Sequence, residues 1–168
     1  MKFAIVVLAT VALAAPTAAR TKTLPLDWIE TTRSRFGYPA MTFRVQSVTI
    51  GGSAWSVRAS VTNRSAEQIA VVTVPSPYLA YRFGLLASKP RRRGPFPETL
   101  SHARTWFGAI SFAPSPPAVL GRGRTWRGTF SGRGTIPRAT LIRVTFGDFL
   151  SRRLQWSFSW ATTDAFRL

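Results

Sequence analysis

Hydrophobic and polar residues alternate along most of the chain from residue 41 onward. In the segment SAWSVRASVTNRS, one face takes the apolar residues Trp55, Val57, Ala59 and Val61. The opposite face takes Ser56, Arg58, Ser60 and Thr62. Because successive side chains of a β-strand point to opposite sides of the sheet, this pattern predicts a strand with one buried face.

The same two-residue period recurs through the rest of the chain. Further apolar positions that share an inward phase are Leu79, Tyr81, Phe83 and Leu85, then Trp106, Ile110 and Phe112, Trp126 and Phe130, Ile142, Val144 and Phe146, and Trp156, Phe158 and Trp160. In MTFRVQSVTI the phase slips near Ser47 and Val48, which indicates a β-bulge. Turn signals rich in Gly, Pro and Asn separate these segments, and no segment keeps a helical period. The sequence therefore predicts an all-β fold, an antiparallel β-sandwich of about seven to eight strands.

The N-terminal segment, residues 1–19, has the three parts of a secretory signal peptide: Lys2, an apolar stretch from Phe3 to Ala15, and small residues up to Ala19. Pro16 interrupts the apolar stretch, which is short against the ~20 residues of a membrane-spanning helix. Cleavage after Ala19 is therefore favoured over an uncut membrane anchor. We expect a secreted, extracytoplasmic chain that has no transmembrane helix after cleavage.

The rest of the chain divides into two parts. Residues 20–40 keep no sustained period, which predicts an extended N-terminal arm that packs Trp28 against the domain, and LDWIETT fits one short helical turn. Residues 41–168 are expected to form one β-sandwich domain with a proline-rich basic loop at 88–104. The chain has no cysteine, so its stability must come from packing rather than from disulfides.

Two segments resemble a known domain layout. The first, FRVQSVTIGGSAWSVRASVTNRSAEQIAV, ends its second strand in a V-x-N-x-S pattern at 61–65. The second, AVLGRGRTWRGTFSGRGTIPRATLIRVTFGDF, begins a strand with the spacing of Leu120, Gly123 and Gly128. Together they are similar to the immunoglobulin-like β-sandwich domains of bacterial secreted and cell-envelope proteins, although the Cys…Trp…Cys signature of antibody domains is absent. The resemblance covers much of residues 41–149 and implies an adhesive, accessory or interaction module without an active site.

The charge balance adds a candidate partner class. Lys and Arg number 23 against 6 Asp and Glu, which gives a net charge of +17. Such a surface attracts anions, and the planar guanidinium group grips carboxylate and phosphate with two parallel hydrogen bonds. One candidate anion site is the basic loop, whose cations are Lys89, Arg91, Arg92, Arg93 and Arg104.

A second set of cations occupies the outward phase of the predicted strands: Arg44, Arg58, Arg82, Arg127 and Arg143. These arginines have two interpretations. They are either parts of one cationic sheet face or the ordinary polar side of each strand. Strand order decides between the two, and the alternation of residues does not give strand order.

Catalytic and metal-binding patterns are missing from the sequence. His102 is the single histidine, the Gly-x-Ser-x-Gly nucleophile elbow is absent, and the acidic residues form no cluster suited to a metal. Asp148 follows Gly147 and is interpreted as a turn residue. We therefore predict no catalytic residue, no metal site and no cofactor, and a protein that is not an enzyme.

Two further patterns have alternative interpretations. Asn63, Arg64 and Ser65 match a glycosylation acceptor but are interpreted as a strand-end turn. The tryptophans share the phase of Val, Ile and Phe, which favours core packing over ligand stacking. Phe107 is out of phase with Trp106, and it is the better candidate for an exposed aromatic residue.

The sequence leaves several functions open. The first is a secreted, non-catalytic interaction or accessory module that contacts an anionic polymer, a lipid headgroup or an acidic protein of the cell envelope. The second is a structural β-sandwich whose charge is incidental. A small outer-membrane β-barrel is a third interpretation, suggested by the alternation that runs from Trp156 to Leu168. Nucleic acid is expected to bind only non-specifically, through its phosphates.

Overall fold

A computed structural model describes residues 21–32, 40–72, 82–88, 104–151 and 156–168. These residues form two antiparallel β-sheets and contain no helix, so the all-β prediction is confirmed. The predicted signal peptide and most of the basic loop lie outside the described residues.

The first sheet, here called the five-stranded sheet, has the strand order β1-β2-β3-β9-β7. Its strands are β1 (Lys22–Thr31), β2 (Met41–Ile50), β3 (Ala54–Asn63), β7 (Ser111–Ala113) and β9 (Thr125–Arg133). Strands β2 and β3 are joined by the turn at Gly51 and Gly52, and β9 lies beside β3 along its whole length. The sheet is therefore built on three long central strands.

The second sheet, here called the seven-stranded sheet, is organised around its longest strand, β10 (Leu141–Ser151). The other strands are β4 (Ile69–Val71), β5 (Gly84–Ser88), β6 (Arg104–Gly108), β8 (Val119–Leu120), β11 (Trp156–Ala161) and β12 (Phe166–Arg167). One edge of β10 pairs with β5 and then with β4, and the other edge pairs with β12 and then with β11. After β6 the chain crosses between the sheets at residues 109–110, and it continues as β7 in the five-stranded sheet.

The inner faces of the two sheets meet in an aromatic core. Phe43 of β2 packs on Phe146 of β10 with ring centroids 4.9 Å apart. Phe83 lies just before β5, is 2 % exposed, and contacts rings from both sheets: Phe112, Trp126, Phe130, Phe146 and Phe149. Edge-to-face and tilted ring pairs of this kind add to the free energy gained from burying apolar area. This core across two facing sheets is consistent with a β-sandwich.

Two predictions about strands need correction. The described part of the chain has twelve strands in place of about seven to eight, because five of them are no longer than three residues or lie in segments without a clear two-residue period. The predicted N-terminal arm contains β1, which pairs with β2 over Lys22–Thr31, so all of LDWIETT except its last residue, Thr32, is strand and not a helical turn. Its irregular phase has a physical cause, since the register shifts between Pro25 and Trp28. Trp28 is buried, and the bulge predicted in β2 is present between Val45 and Ser47.

The aromatic residues of β6 have the opposite arrangement to the predicted one. Trp106 is 37 % exposed and Ile110 is 67 % exposed, whereas Phe107 packs against the core. The ring of Trp106 folds back over Gly108, where an added Cβ would come within 2.7 Å of the ring. Trp126 folds over Gly128 in the same way. The shared T-W-x-G pattern therefore positions one indole on an outer face and the other in the core.

Candidate anion-binding face

The outer face of the five-stranded sheet consists of cross-strand rows of small hydroxyl residues and arginines. One row places four threonines side by side on adjacent strands: Thr31, Thr42, Thr62 and Thr125. A second hydroxyl row crosses all five strands: Thr23, Thr49, Ser56, Ser131 and Ser111. Several neighbours within these rows share hydroxyl hydrogen bonds, such as the 2.8 Å contact between Thr62 and Thr125. These hydroxyl groups make the outer face polar.

Two arginine rows lie between the hydroxyl rows. In one row, Arg44 of β2 and Arg127 of β9 flank Ser60 of β3. In the next row, Arg58 of β3 lies opposite Thr129 of β9. Arg58 and Arg127 are thus diagonal neighbours on adjacent strands, a relation that places their Cβ atoms somewhat less than about 7–8 Å apart. Strand order therefore brings three of the five outward arginines onto a single face.

An open groove of about 400 Å³ lies on this face. We call it the arginine groove, and its lining is Gln46, Arg58, Ala113, Arg127, Gly128 and Thr129. The β2 bulge supplies Gln46, because the register shift there presents one additional residue beside the row of Arg58. The side chains of Arg58 and Arg127 are exposed, and no carboxylate of the described residues lies within ion-pair distance of either. The groove thus combines two open guanidinium groups with amide and hydroxyl groups.

Arg44 differs from these two arginines, because it already has an anionic partner. Its guanidinium group forms an ion pair with Asp27, and Arg44 Nε donates a hydrogen bond of 3.1 Å to Asp27 Oδ1. Asp27 reaches this position from the irregular segment of β1, where it has a positive φ of 42°. Arg44 therefore contributes little net positive charge to the face.

The other two predicted outward arginines belong to the seven-stranded sheet. Arg143 lies on β10 opposite Leu86 of β5, and Arg82 lies two residues before the start of β5. The Arg82 guanidinium lies 6.0 Å from the centre of the Trp106 ring, a cation–π distance. Both side chains are half-buried. The five outward arginines are thus divided between two faces rather than gathered on one.

Asp148 is a buried carboxyl group that the sequence prediction placed wrongly in a turn. It lies within β10 and is 1 % exposed, and its Oδ2 atom has no hydrogen-bond partner. Burial raises the pKa of the Asp148 carboxyl, and the positive charge of Arg82 offsets part of this increase. The dipeptide Gly147-Asp148 resembles a turn signal, but both residues lie within β10, where its pairing with β11 changes register.

Most of the basic loop, residues 88–104, lies outside the described residues. Lys89, Arg91, Arg92 and Arg93 lie outside the described residues, as does His102. Arg104 is the first residue of β6, in the seven-stranded sheet. The prediction of an anion site in the loop stays a prediction.

The strand-end segment 63–65 is a buried turn. Asn63 is fully buried, and its Nδ2 atom donates hydrogen bonds to the carbonyl oxygens of Glu67 and Leu120 at 2.7 and 2.8 Å. Its Oδ1 atom accepts hydrogen bonds from the backbone N–H and the hydroxyl of Ser65. The amide is therefore fully engaged within the fold, which supports the interpretation as a turn over that of a glycosylation acceptor.

A larger cavity, of about 850 Å³, lies beside the turn that joins β2 and β3. Its lining mixes the cations Lys22 and Arg138 with the apolar residues Ile50, Ile136 and Leu168. The arginine groove differs from this cavity in having its two arginines next to one another on paired strands. We therefore treat the groove as the principal candidate site.

Comparisons of the chain with protein-family models, with curated protein sequences and with solved structures give no match. Within the described ranges, no group of three or more His, Cys, Asp or Glu residues is placed to hold a metal ion. The same part of the chain has no helix that is long and apolar enough to cross a membrane.

Proposed function

We propose that this protein is a secreted, non-catalytic interaction module that contacts an anionic partner in the cell envelope. The observation that carries the proposal is the arginine groove. Arg58 and Arg127 face the same open space from paired strands of a rigid sheet, without a neighbouring carboxylate among the described residues. Guanidinium groups in such a position are free to form bidentate contacts with carboxylate, phosphate or sulfate groups.

We also propose that the two sheets have an immunoglobulin-like arrangement. It is supported by the two segments that carry the resemblance, because they contact each other through the Asn63 side chain and the Leu120 carbonyl. The backbone N–H of Gly123 also donates a hydrogen bond of 2.8 Å to the carbonyl of Asn63. The residues of the two motifs therefore stabilise one end of the sandwich through hydrogen bonds. They do not occupy the outer face of the five-stranded sheet, which stays available for binding.

A structural role with incidental charge is the competing function. It is favoured by the many exposed arginines that lie away from the groove, in turns and at strand ends: Arg64, Arg122, Arg124, Arg133, Arg138 and Arg167. If the charge is incidental, removing any two exposed arginines should have the same effect on anion binding. The two functions therefore make different predictions for matched pairs of substitutions.

The test compares two double variants of the full chain on immobilised heparin with a rising salt gradient. Arg58→Gln with Arg127→Gln removes both cations of the groove, whereas Arg122→Gln with Arg124→Gln removes the same charge from the exposed turn before β9. We expect the groove variant to elute at distinctly lower salt than the turn variant, because site-specific pairing is lost in addition to general attraction. Equal elution of the two variants would favour the structural role.

The basic loop is tested separately. The triple variant Arg91→Gln, Arg92→Gln and Arg93→Gln removes three charges, one more than either double variant. If the groove is the main site, this variant elutes above the groove variant despite its larger loss of charge. Elution below the groove variant would assign the main site to the loop.

A further inference from the structure

We propose that the ligand of the arginine groove is a linear acidic polysaccharide that lies across the strands of the five-stranded sheet. This inference rests on the proposed anion-binding function and specifies the chemical class of the partner. The observations that support it are the neutral polar residues of this face, among them Gln46 and Thr129.

The direction of the ligand follows from the order of the lining residues. Gln46 lies on β2, Arg58 on β3, Thr129 on β9 and Ala113 on β7, and these four strands are consecutive in the sheet. Three strand spacings of about 4.8 Å separate the two ends, so the groove extends roughly 14 Å across the strands. An extended ligand fills this length, whereas a single small anion occupies one arginine.

The polar groups of the face match a ligand that has hydroxyl groups as well as charges. Thr129 lies in the groove directly beside Arg58, and Gln46 lies at its β2 end. Hydroxyl rows border the arginine rows on both sides, with Thr62 and Thr125 on one side and Ser56 on the other. Hydroxyl and amide groups both donate and accept hydrogen bonds, as sugar hydroxyls do. The face therefore offers partners for the neutral and for the charged groups of an acidic sugar polymer.

The aromatic side chains of the five-stranded sheet point into the core, away from the outer face that has the arginine groove. Its aromatic side chains occupy buried or core-packed positions: Trp28, Phe43, Trp55, Phe112, Trp126 and Phe130. Binding of single-stranded nucleic acid relies on stacking of bases on exposed aromatic rings, which the described strands of this sheet do not offer on their outer face. Among the strand residues of this sheet, Ile29 is the one large exposed hydrophobic side chain. Membrane insertion and tight protein–protein interfaces need a broader apolar or aromatic patch.

The test uses four probes in the same buffer: polygalacturonate, polyacrylate, vesicles of phosphatidylglycerol with phosphatidylcholine, and a single-stranded oligonucleotide. Polygalacturonate and polyacrylate both have carboxylates, and only the former has sugar hydroxyls. We expect polygalacturonate to bind most tightly to the unmodified protein. Thr129→Val, which replaces the hydroxyl by a methyl group of similar shape, is expected to weaken polygalacturonate binding by about fivefold, as for the loss of one hydrogen bond. The same substitution should leave polyacrylate binding unchanged.

Thr105→Val is the matched control, since Thr105 lies at an exposed strand position of the other sheet. It should leave the affinity for every probe unchanged. Tighter binding of the vesicles or of the oligonucleotide would overturn the inference and assign the face to lipid headgroups or to nucleic acid. Equal binding of the two carboxylate polymers, or an equal effect of Thr129→Val on both, would also overturn it. In all these cases a lower affinity of the Arg58→Gln, Arg127→Gln variant would still support the broader proposal, and no change in that variant would reject both.

Discussion

The side-chain amide of Asn63 donates a hydrogen bond of 2.8 Å to the backbone carbonyl of Leu120, from the end of β3 to the end of β8. The contact joins a strand of the five-stranded sheet to a strand of the seven-stranded sheet. Because Asn63 is fully buried and also bonds to Ser65 and Glu67, its amide links two turns that are far apart in sequence. The Asn63 amide therefore joins the two sheets at this end of the sandwich, beside backbone hydrogen bonds from Asn63 to Arg124 and from Gly123 to Asn63.

Substitution Asn63→Ala is expected to destabilise the protein by about 2–4 kcal/mol, because it leaves several buried polar groups of the two turns without partners. The free energy of unfolding from urea titration measures the effect. The control is Arg64→Ala at the exposed neighbouring position, which should change stability by less than about 0.5 kcal/mol. A loss at Asn63 no larger than at Arg64 would contradict the role of the amide.

Substitution Phe83→Ala removes the ring that contacts aromatic side chains of both sheets. We expect a loss of about 3–5 kcal/mol in the free energy of unfolding, the range for truncation of a buried aromatic residue. Ile29→Ala, at a position that is 62 % exposed, removes a large apolar side chain from the surface and should cost far less. Similar losses for the two variants would show that the sheets do not pack through Phe83.

Gly132 lies directly opposite Trp55, and an added Cβ would come within 2.4 Å of the indole ring and 2.6 Å of the Gly108 carbonyl oxygen. Gly132→Ala is therefore expected to displace the Trp55 ring and to cost about 1–3 kcal/mol, as overpacking in a core does. Thermal unfolding and near-ultraviolet circular dichroism report the two effects. Gly121→Ala is the control, because its nearest contact would be the Arg124 side chain at 3.5 Å, and it should retain the unmodified spectrum.

The buried carboxyl group of Asp148 is expected to make the protein less stable as the pH rises. Burial raises the pKa of this carboxyl in the folded state above the ordinary value of 3.8, so the folded state holds the proton more tightly than the unfolded state does. The stabilisation linked to this proton is complete below pH 3.8 and is lost as the pH rises through the folded-state pKa. Asp148→Asn removes the titrating group.

The measurement is the difference in unfolding free energy between the unmodified protein and Asp148→Asn at a series of pH values. We expect the unmodified protein to lose stability relative to the variant as the pH rises from about 4, since the carboxylate becomes charged in a buried position. Asp164→Asn, at an exposed position, is the control for the removal of one carboxyl group from the chain. A difference for Asp148→Asn that moves in the opposite direction would show that attraction to Arg82 outweighs desolvation.

Alternation of side chains predicted several features of the fold correctly. Trp55, Val57, Ala59 and Val61 are buried in β3, and the phase slip near Ser47 marks a true bulge. The predicted burial was wrong at residues whose position in the alternating pattern does not match their surroundings in the folded protein. Trp106 and Ile110 are exposed although their phase resembles that of core residues, because the chain crosses between sheets just after β6. Asp148 is buried although it follows a glycine, because β10 continues through the change of register.

For the arginine groove, too, some features were predictable from the sequence and others were not. The outward phases of Arg44, Arg58 and Arg127 were predictable, and so was the surplus of positive charge. Their convergence on one face was not predictable, because β9 pairs with β3 across more than sixty residues of intervening chain. The ion pair that neutralises Arg44 likewise involves the irregular segment of β1, where Asp27 has a positive φ and contacts Arg44 of β2. Arg44 thus differs from Arg58 and Arg127 in its charge environment, because its ion-pair partner, Asp27, lies on a different strand.

The sequence by itself determined the two-residue period, and with it the all-β class and the residues that alternate between core and solvent. It did so because strand geometry is local, so that each side chain's face follows from its neighbours along the chain. The tertiary structure alone decided which strands are adjacent, and therefore that Arg58, Arg127, Gln46 and Thr129 share one groove. Pairing between distant strands is set by the packing of the whole core, since no residue in β3 specifies β9 as its partner.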